Sequence, residues 1–185
     1  MTGLNPEVDC LVEIAVVITN SELEILDEGL DIVIKPTPEG LANMGEFVRN
    51  MHSESGLINE FEGGVDLAEA ERIVLEYVQR FVPEARTAPL AGNTIGTDRM
   101  FINRYMPALD NHLHYRNIDV SSVKELSRRW YPRVYFNMPK KDGGHRALAD
   151  ILESIKELQY YRKTVFVDLP GPSSDAAKAA AESLS

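Results

Sequence analysis

The chain has 185 residues, 44% of them hydrophobic, with 29 acidic against 19 basic side chains and a formal charge of −10. That is enough for one globular domain with a sizeable core, and the wrong balance for a protein that gains affinity by neutralising many phosphates of a long nucleic acid. A single cysteine, Cys10, excludes an internal disulfide and reads as a small core hydrophobe of a cytoplasmic protein; the apolar run at 14–18 is too short to span a membrane.

In chain order, 11–19 and 30–34 are rich in Val and Ile and predict neighbouring strands separated by the polar turn around Asn20-Ser21-Glu22. Lys35-Pro36-Thr37-Pro38 ends that pair, and a short helix is expected over 40–50. Asp66 with Glu69 three positions on has the form of a capping box. Leu67, Ala70, Ile73, Val74, Tyr77, Val78 and Phe81 then recur at helical spacing until Pro83. Leu90-Ala91 predicts a buried strand running into Asn93. A helix follows from about Asp98 to Met106, stopped by Pro107, which places Asp98 at a strand-to-helix junction. Residues 118–120 predict a strand, and Ser121 is the expected N-cap of a helix carrying Val123, Leu126 and Trp130. Gly143-Gly144 precedes a last helix with an inward stripe of Leu148, Ile151, Leu152, Ile155 and Leu158. The Ala-, Ser- and Pro-rich residues after 167 predict a disordered tail, leaving 1–167 as the domain.

Two signals carry chemistry. His145 lies five residues before Asp150 at the start of the last helix, and Asn93 and Asp98 follow the short apolar run upstream. Carboxylates on separate elements with a nearby histidine fit metal-dependent phosphodiester cleavage, in which acids hold the cation and a base activates water. Five residues turn a helix by roughly 140°, so His145 and Asp150 do not share a helical face. The glycine pair lets His145 sit in a loop able to swing over the site. Two carboxylates alone are too few to hold two divalent ions about 3.5–4 Å apart.

Several segments are similar to the oligoribonucleases, a family of the DEDD exonuclease superfamily with a histidine base. They are Met1-Thr2-Gly3-Leu4-Asn5-Pro6, Val12-Glu13-Ile14-Ala15, Gly92 to Arg99, His114 to Ser121, Lys124-Glu125-Leu126 with Arg128-Arg129-Trp130, and His145 to Asp150. The resemblance covers 1 to about 166. It implies a ribonuclease-H-like α/β fold, a mixed five-stranded sheet flanked by helices, and 3′-to-5′ hydrolysis of very short oligoribonucleotides to nucleoside 5′-monophosphates. It also implies two Mg²⁺ or Mn²⁺ ions held in part by Asp98 and Asp150, His145 as the base, and a homodimer. Leu4 and Phe47 match residues that pack on the two bases of the substrate. Thr94, Arg116 and Ser121 match those that hold its terminal phosphate, and Tyr115 one contributed by the partner subunit.

One motif departs from the family. An Asp-x-Glu pair ending a central strand lies just before the Met-Thr-Gly-Leu that opens this chain, and Asp9 and Glu13 have the wrong spacing to replace it. The expectation is therefore that the functional protein begins upstream with that strand, and that the 185 residues alone are inactive and poorly stable. From the residues alone, Leu4 and Phe47 fit core positions equally well, Asp98 a helix start favoured by the macrodipole, and Arg116 the surface. His112-x-His114 has metal spacing on a strand but no third ligand nearby. Two other functions remain open: a catalytically silent binder of short oligonucleotides, and a longer-substrate exonuclease such as a proofreading subunit, against which the acidic charge weighs.

Overall fold

A computed structural model describes residues 1–140 and 146–184. The first strands are shorter than the sequence pattern suggests. β1 (Glu13–Val16) pairs antiparallel with β2 (Leu30–Val33), Ile14 facing Ile32, and only a Thr19–Ile25 bridge continues the ladder. The expected helix over 40–50 is two helices, α1 (Pro38–Asn43) and α2 (Glu46–Glu54), parted at Met44-Gly45. Pro38 starts α1 rather than ending the strand region: its fixed φ suits the first helical turn, and the Thr37 hydroxyl caps that turn by accepting from Gly40 N–H. A 3₁₀ helix (Leu57–Gly63) leads to α3 (Leu67–Phe81), the helix its spacing predicts. The capping box does not form. Asp66 occupies the N-cap without a side-chain bond, and the Glu69 carboxylate, which would reach back to the Asp66 N–H, is taken by Arg72 on the solvent side.

β3 (Pro89–Gly92) pairs in parallel with β4 (His114–Asp119). Between them run α4 (Ile95–Tyr105) and α5 (Pro107–His112). Pro107 again begins a helix instead of only stopping one, and α4 begins three residues before Asp98, which therefore sits inside its first turn rather than at the junction. After β4 come α6 (Val120–Trp130) and α7 (Pro132–Phe136), the latter also opened by proline. The α6 N-cap is Asp119, not Ser121. Its carboxylate accepts from Ser121 N–H, while the Ser121 hydroxyl is engaged elsewhere. α8 (Ala147–Thr164) follows the undescribed residues, and α9 (Ser174–Glu182) lies where a disordered tail was expected. Alanines and the Ser173 cap suffice for a local helix, yet every residue of α9 is exposed.

The four strands among the described residues form two separate pairs, β1–β2 and β3–β4. This is an α/β arrangement with small sheets, consistent with the ribonuclease-H-like class. Helix α8 touches β1, β2 and β3 and so spans both halves. The main core joins Ile14 and Ile32 to Ala70, Val74 and Val78 of α3 and to Phe101, Ile102 and Met106 at α4; burying each large side chain contributes about 1.5–3 kcal/mol. A second cluster, Val12, Met44, Leu57 and Phe61, fixes α1 and α2, and Cys10 packs against it half-buried.

Candidate active site

A cavity of about 560 Å³ lies between the two sheet halves, walled by Ile14 and Val16 of β1, Leu90 and Ala91 of β3, Ile102 of α4 and Ile151 of α8. Its polar lining includes Glu13, Asn93, Asp98, Asp150 and Ser154. The fold thus brings together the two acids and the asparagine singled out in the sequence. Asp98 reaches the cavity because α4 starts early, and Asp150 because α8 crosses above the gap.

Burial raises the Asp98 carboxyl above its ordinary value, an effect its own backbone amide only partly offsets. A cation beside it would relieve that penalty. A divalent ion that keeps several waters needs only one or two carboxylates, which Asp98 and Asp150 fit. Among the described residues no group of three or more metal-ligating side chains is gathered, so they do not by themselves bridge a second ion. His145 lies outside the described residues. Its neighbour Arg146 is the N-cap of α8, and Asp150 falls in the first turn.

The phosphate-matching residues are only partly assembled. Thr94 and Ser121 meet directly: the Ser121 Oγ accepts from Thr94 N–H at 3.0 Å and lies 3.2 Å from the Thr94 hydroxyl. Thr94 is in the left-handed region (φ 53°), a conformation that costs a non-glycine residue roughly 1–2 kcal/mol. The Asp119 carboxylate and Ser121 hold it there by sharing its N–H. Arg116 and Tyr115 project from β4 into solvent with the guanidinium stacked over the ring, 5.3 Å from its centroid. Leu4 is 74% exposed and Phe47 82%, which removes the core reading for both. The histidine pair is structural: His112 Nε2 meets the Val82 carbonyl at 2.8 Å, and His114 Nδ1 accepts from Arg116 N–H.

Two buried acids have structural roles the sequence reading did not assign: Glu13, which it weighed only as a metal ligand and rejected for its spacing, and Glu157, which it did not single out. Glu13, its side chain 6% exposed, receives Arg146 Nε at 2.7 Å and Ala147 N–H at 3.0 Å, so a strand carboxylate caps α8 where Arg146 supplies no cap of its own. Glu157, 4% exposed, accepts from Asn93 Nδ2, Lys124 Nζ and the Tyr161 hydroxyl, and burial followed by the Glu157 charge raises the Tyr161 phenol well above its ordinary value. A signal existed. Asp150, Ser154, Glu157 and Tyr161 recur at i, i+4, i+7 and i+11, a polar stripe on one helical face.

Residues 1–158 match the exonuclease family RNase_T. The chain is 67% identical to an oligoribonuclease of Leifsonia xyli subsp. xyli over 184 residues, which are 100% of this chain and 89% of that protein. It is 59% identical to an oligoribonuclease of Streptomyces coelicolor, covering 98% of this chain and 90% of the relative, and 58% identical to one from Mycobacterium avium, covering 100% and 86%. The chain belongs to the RNase_T exonuclease family and, within it, to the oligoribonucleases.

Proposed function

We propose that this protein is a hydrolytic 3′-to-5′ exoribonuclease that converts dinucleotides and slightly longer oligoribonucleotides to nucleoside 5′-monophosphates. The observation that carries the reading is the convergence of Asp98 and Asp150 on one cavity, with Thr94 and Ser121 joined by hydrogen bonds one residue from its wall. The full-length identity to oligoribonucleases favours the enzyme over a silent binder.

Exonucleases of this family use divalent metals. We assign Asp98 and Asp150 as the residues that would hold Mg²⁺ or Mn²⁺, which when bound would supply Lewis acidity toward the scissile phosphate and the attacking water. A second ion would need ligands beyond these two. His145 takes the proton of the attacking water. Thr94, Ser121 and Arg116 hold the terminal phosphate of the substrate; a guanidinium with hydroxyl donors suits a compact dianion, and closing on a terminus selects against long chains. Leu4 and Phe47, both exposed, stack on the bases without reading sequence. The exposed Tyr115, Ile118 and Trp130 fit a homodimer in which Tyr115 of the partner subunit completes the site. Among the described residues no helix is long and apolar enough to cross a membrane, and we place the enzyme in the cytoplasm.

Hydrolysis of a 5′-phosphorylated dinucleotide by the natural protein, assayed with Mn²⁺ and again with EDTA, tests the reading. The expected result is metal-dependent release of mononucleotides, with twenty-mers cut far more slowly. No metal-dependent release, or equal rates at both lengths, overturns it.

A further inference from the structure

Asn93 lies between the phosphate-holding residues and the helix that carries Asp150, and the proposed reaction gives it no task. Its Nδ2 donates to Ser154 Oγ at 2.8 Å and to Glu157 Oε2 at 3.3 Å, while its Oδ1 accepts from Ser121 Oγ at 3.1 Å. The direction of the amide is forced. An ionised carboxylate only accepts, and the Ser154 proton is already donated to the Asp150 carbonyl at 2.8 Å, so both groups on α8 face Asn93 as acceptors. The amide nitrogen must point at the helix and the oxygen at Ser121. Ser121 in turn spends its one proton on Asn93 and keeps its lone pairs for the Thr94 N–H, the bond that helps hold Thr94 in its left-handed conformation.

We propose that Asn93 is a positioning residue for phosphate recognition: by locking the Ser121 hydroxyl and the Thr94 turn to Ser154 and Glu157 of α8, it holds the phosphate-binding surface in register with the helix bearing Asp150. The inference rests on the assignment of Thr94 and Ser121 to the substrate phosphate. The geometry admits one isosteric change that reverses the polarity of the link. Asn93→Asp keeps the acceptor for Ser121 but sets an oxygen against the Glu157 carboxylate, whereas Asn93→Asp with Glu157→Gln restores a donor–acceptor pair in the opposite direction.

The test is the affinity of diadenylate with and without a 5′-phosphate, measured by calorimetry in EDTA, where metal-dependent hydrolysis is off. The wild-type protein is expected to prefer the phosphorylated form. Asn93→Asp should cut that preference by about tenfold, the scale of one misplaced charge-assisted hydrogen bond, while the unphosphorylated ligand binds nearly as before; the double variant should recover most of it. Equal loss for both ligands, or no recovery in the double variant, overturns the inference, because a merely structural asparagine lowers both affinities together. If Asn93→Asp does not fold, Ser154→Ala replaces it; removing one acceptor without a charge clash should lower the preference about threefold, and an unchanged preference counts against the proposal. A wild-type protein indifferent to the 5′-phosphate overturns the phosphate assignment itself, and the inference with it.

Discussion

Helix α8 is anchored twice, and the two anchors differ in kind. At its start the anchor is ionic: Arg146 bridges Glu13 of β1 and Glu60 of the 3₁₀ helix, and Glu13 also caps Ala147. At mid-length it is a network of hydrogen bonds in which Asn93 of the β3–α4 turn, Tyr161 and Lys124 meet one carboxylate, Glu157, and Asn93 also donates to Ser154. The first ties the helix to one sheet half, the second to the other. Ion pairing fixes where a helix docks with loose directional demands, whereas a hydrogen-bond network with directed donors and acceptors fixes its rotation. Docking and orientation of the Asp150 helix are therefore separable, and substitutions should affect them separately.

The largest effect is expected just ahead of both anchors. In a form of the protein that carries the Asp-x-Glu pair, His145→Ala should lower dinucleotide turnover by roughly 10²–10⁴ with little change in affinity, since a general base acts in the transition state; steady-state kinetics with separate binding data checks this, and unchanged turnover returns His145 to an ordinary polar position near a helix start. Breaking the ionic anchor comes next. Glu13→Ala leaves Arg146 with Glu60 alone and Ala147 N–H without its acceptor, so we expect a loss of about 2–3 kcal/mol, one charge-assisted hydrogen bond together with one orphaned N–H, read by urea denaturation. Glu13→Gln keeps an acceptor for that N–H and should lose less.

Arg116→Ala should leave the melting temperature unchanged, because the side chain is exposed, and weaken binding of a 5′-phosphorylated dinucleotide by about 1.5–3 kcal/mol. Calorimetric titration decides it. The smallest effect belongs to the second anchor. Tyr161→Phe removes one bond to Glu157 within a network that retains Lys124 and Asn93, and should cost about 1 kcal/mol of unfolding free energy. A loss as large as that of Glu13→Ala would erase the distinction between the anchors.

The sequence disclosed the apolar architecture better than the polar one. α3 and α8 were legible because their hydrophobic residues repeat at helical spacing, and Asp98, Asp150, Thr94 and Ser121 because they stand in segments resembling a family. Glu157 was not, and Glu13 was read as part of a family-like strand without its burial or its part in capping α8. Periodicity assigns charged residues to solvent by default, and only the fold shows that Arg146 and Asn93 reach them across 133 and 64 residues of sequence. The short helices α5 and α7 were missed, and the start of α1 was placed two residues late, for a related reason: a proline ends one pattern and begins another, and composition alone does not say which. Ser121 was misread as a cap because Asp119, two residues earlier, has the same capping chemistry and the better position.

The central claim is that this chain presents a surface for the end of a short oligonucleotide, held in register with an acid-bearing helix. Its most direct test is a length series in EDTA, from 5′-phosphorylated dinucleotide to twenty-mer, titrated into the wild-type protein. The account predicts that the dinucleotide binds at least about tenfold more tightly than the twenty-mer, a difference of about 1.4 kcal/mol. Equal affinity across the series, or affinity rising with length, would contradict it.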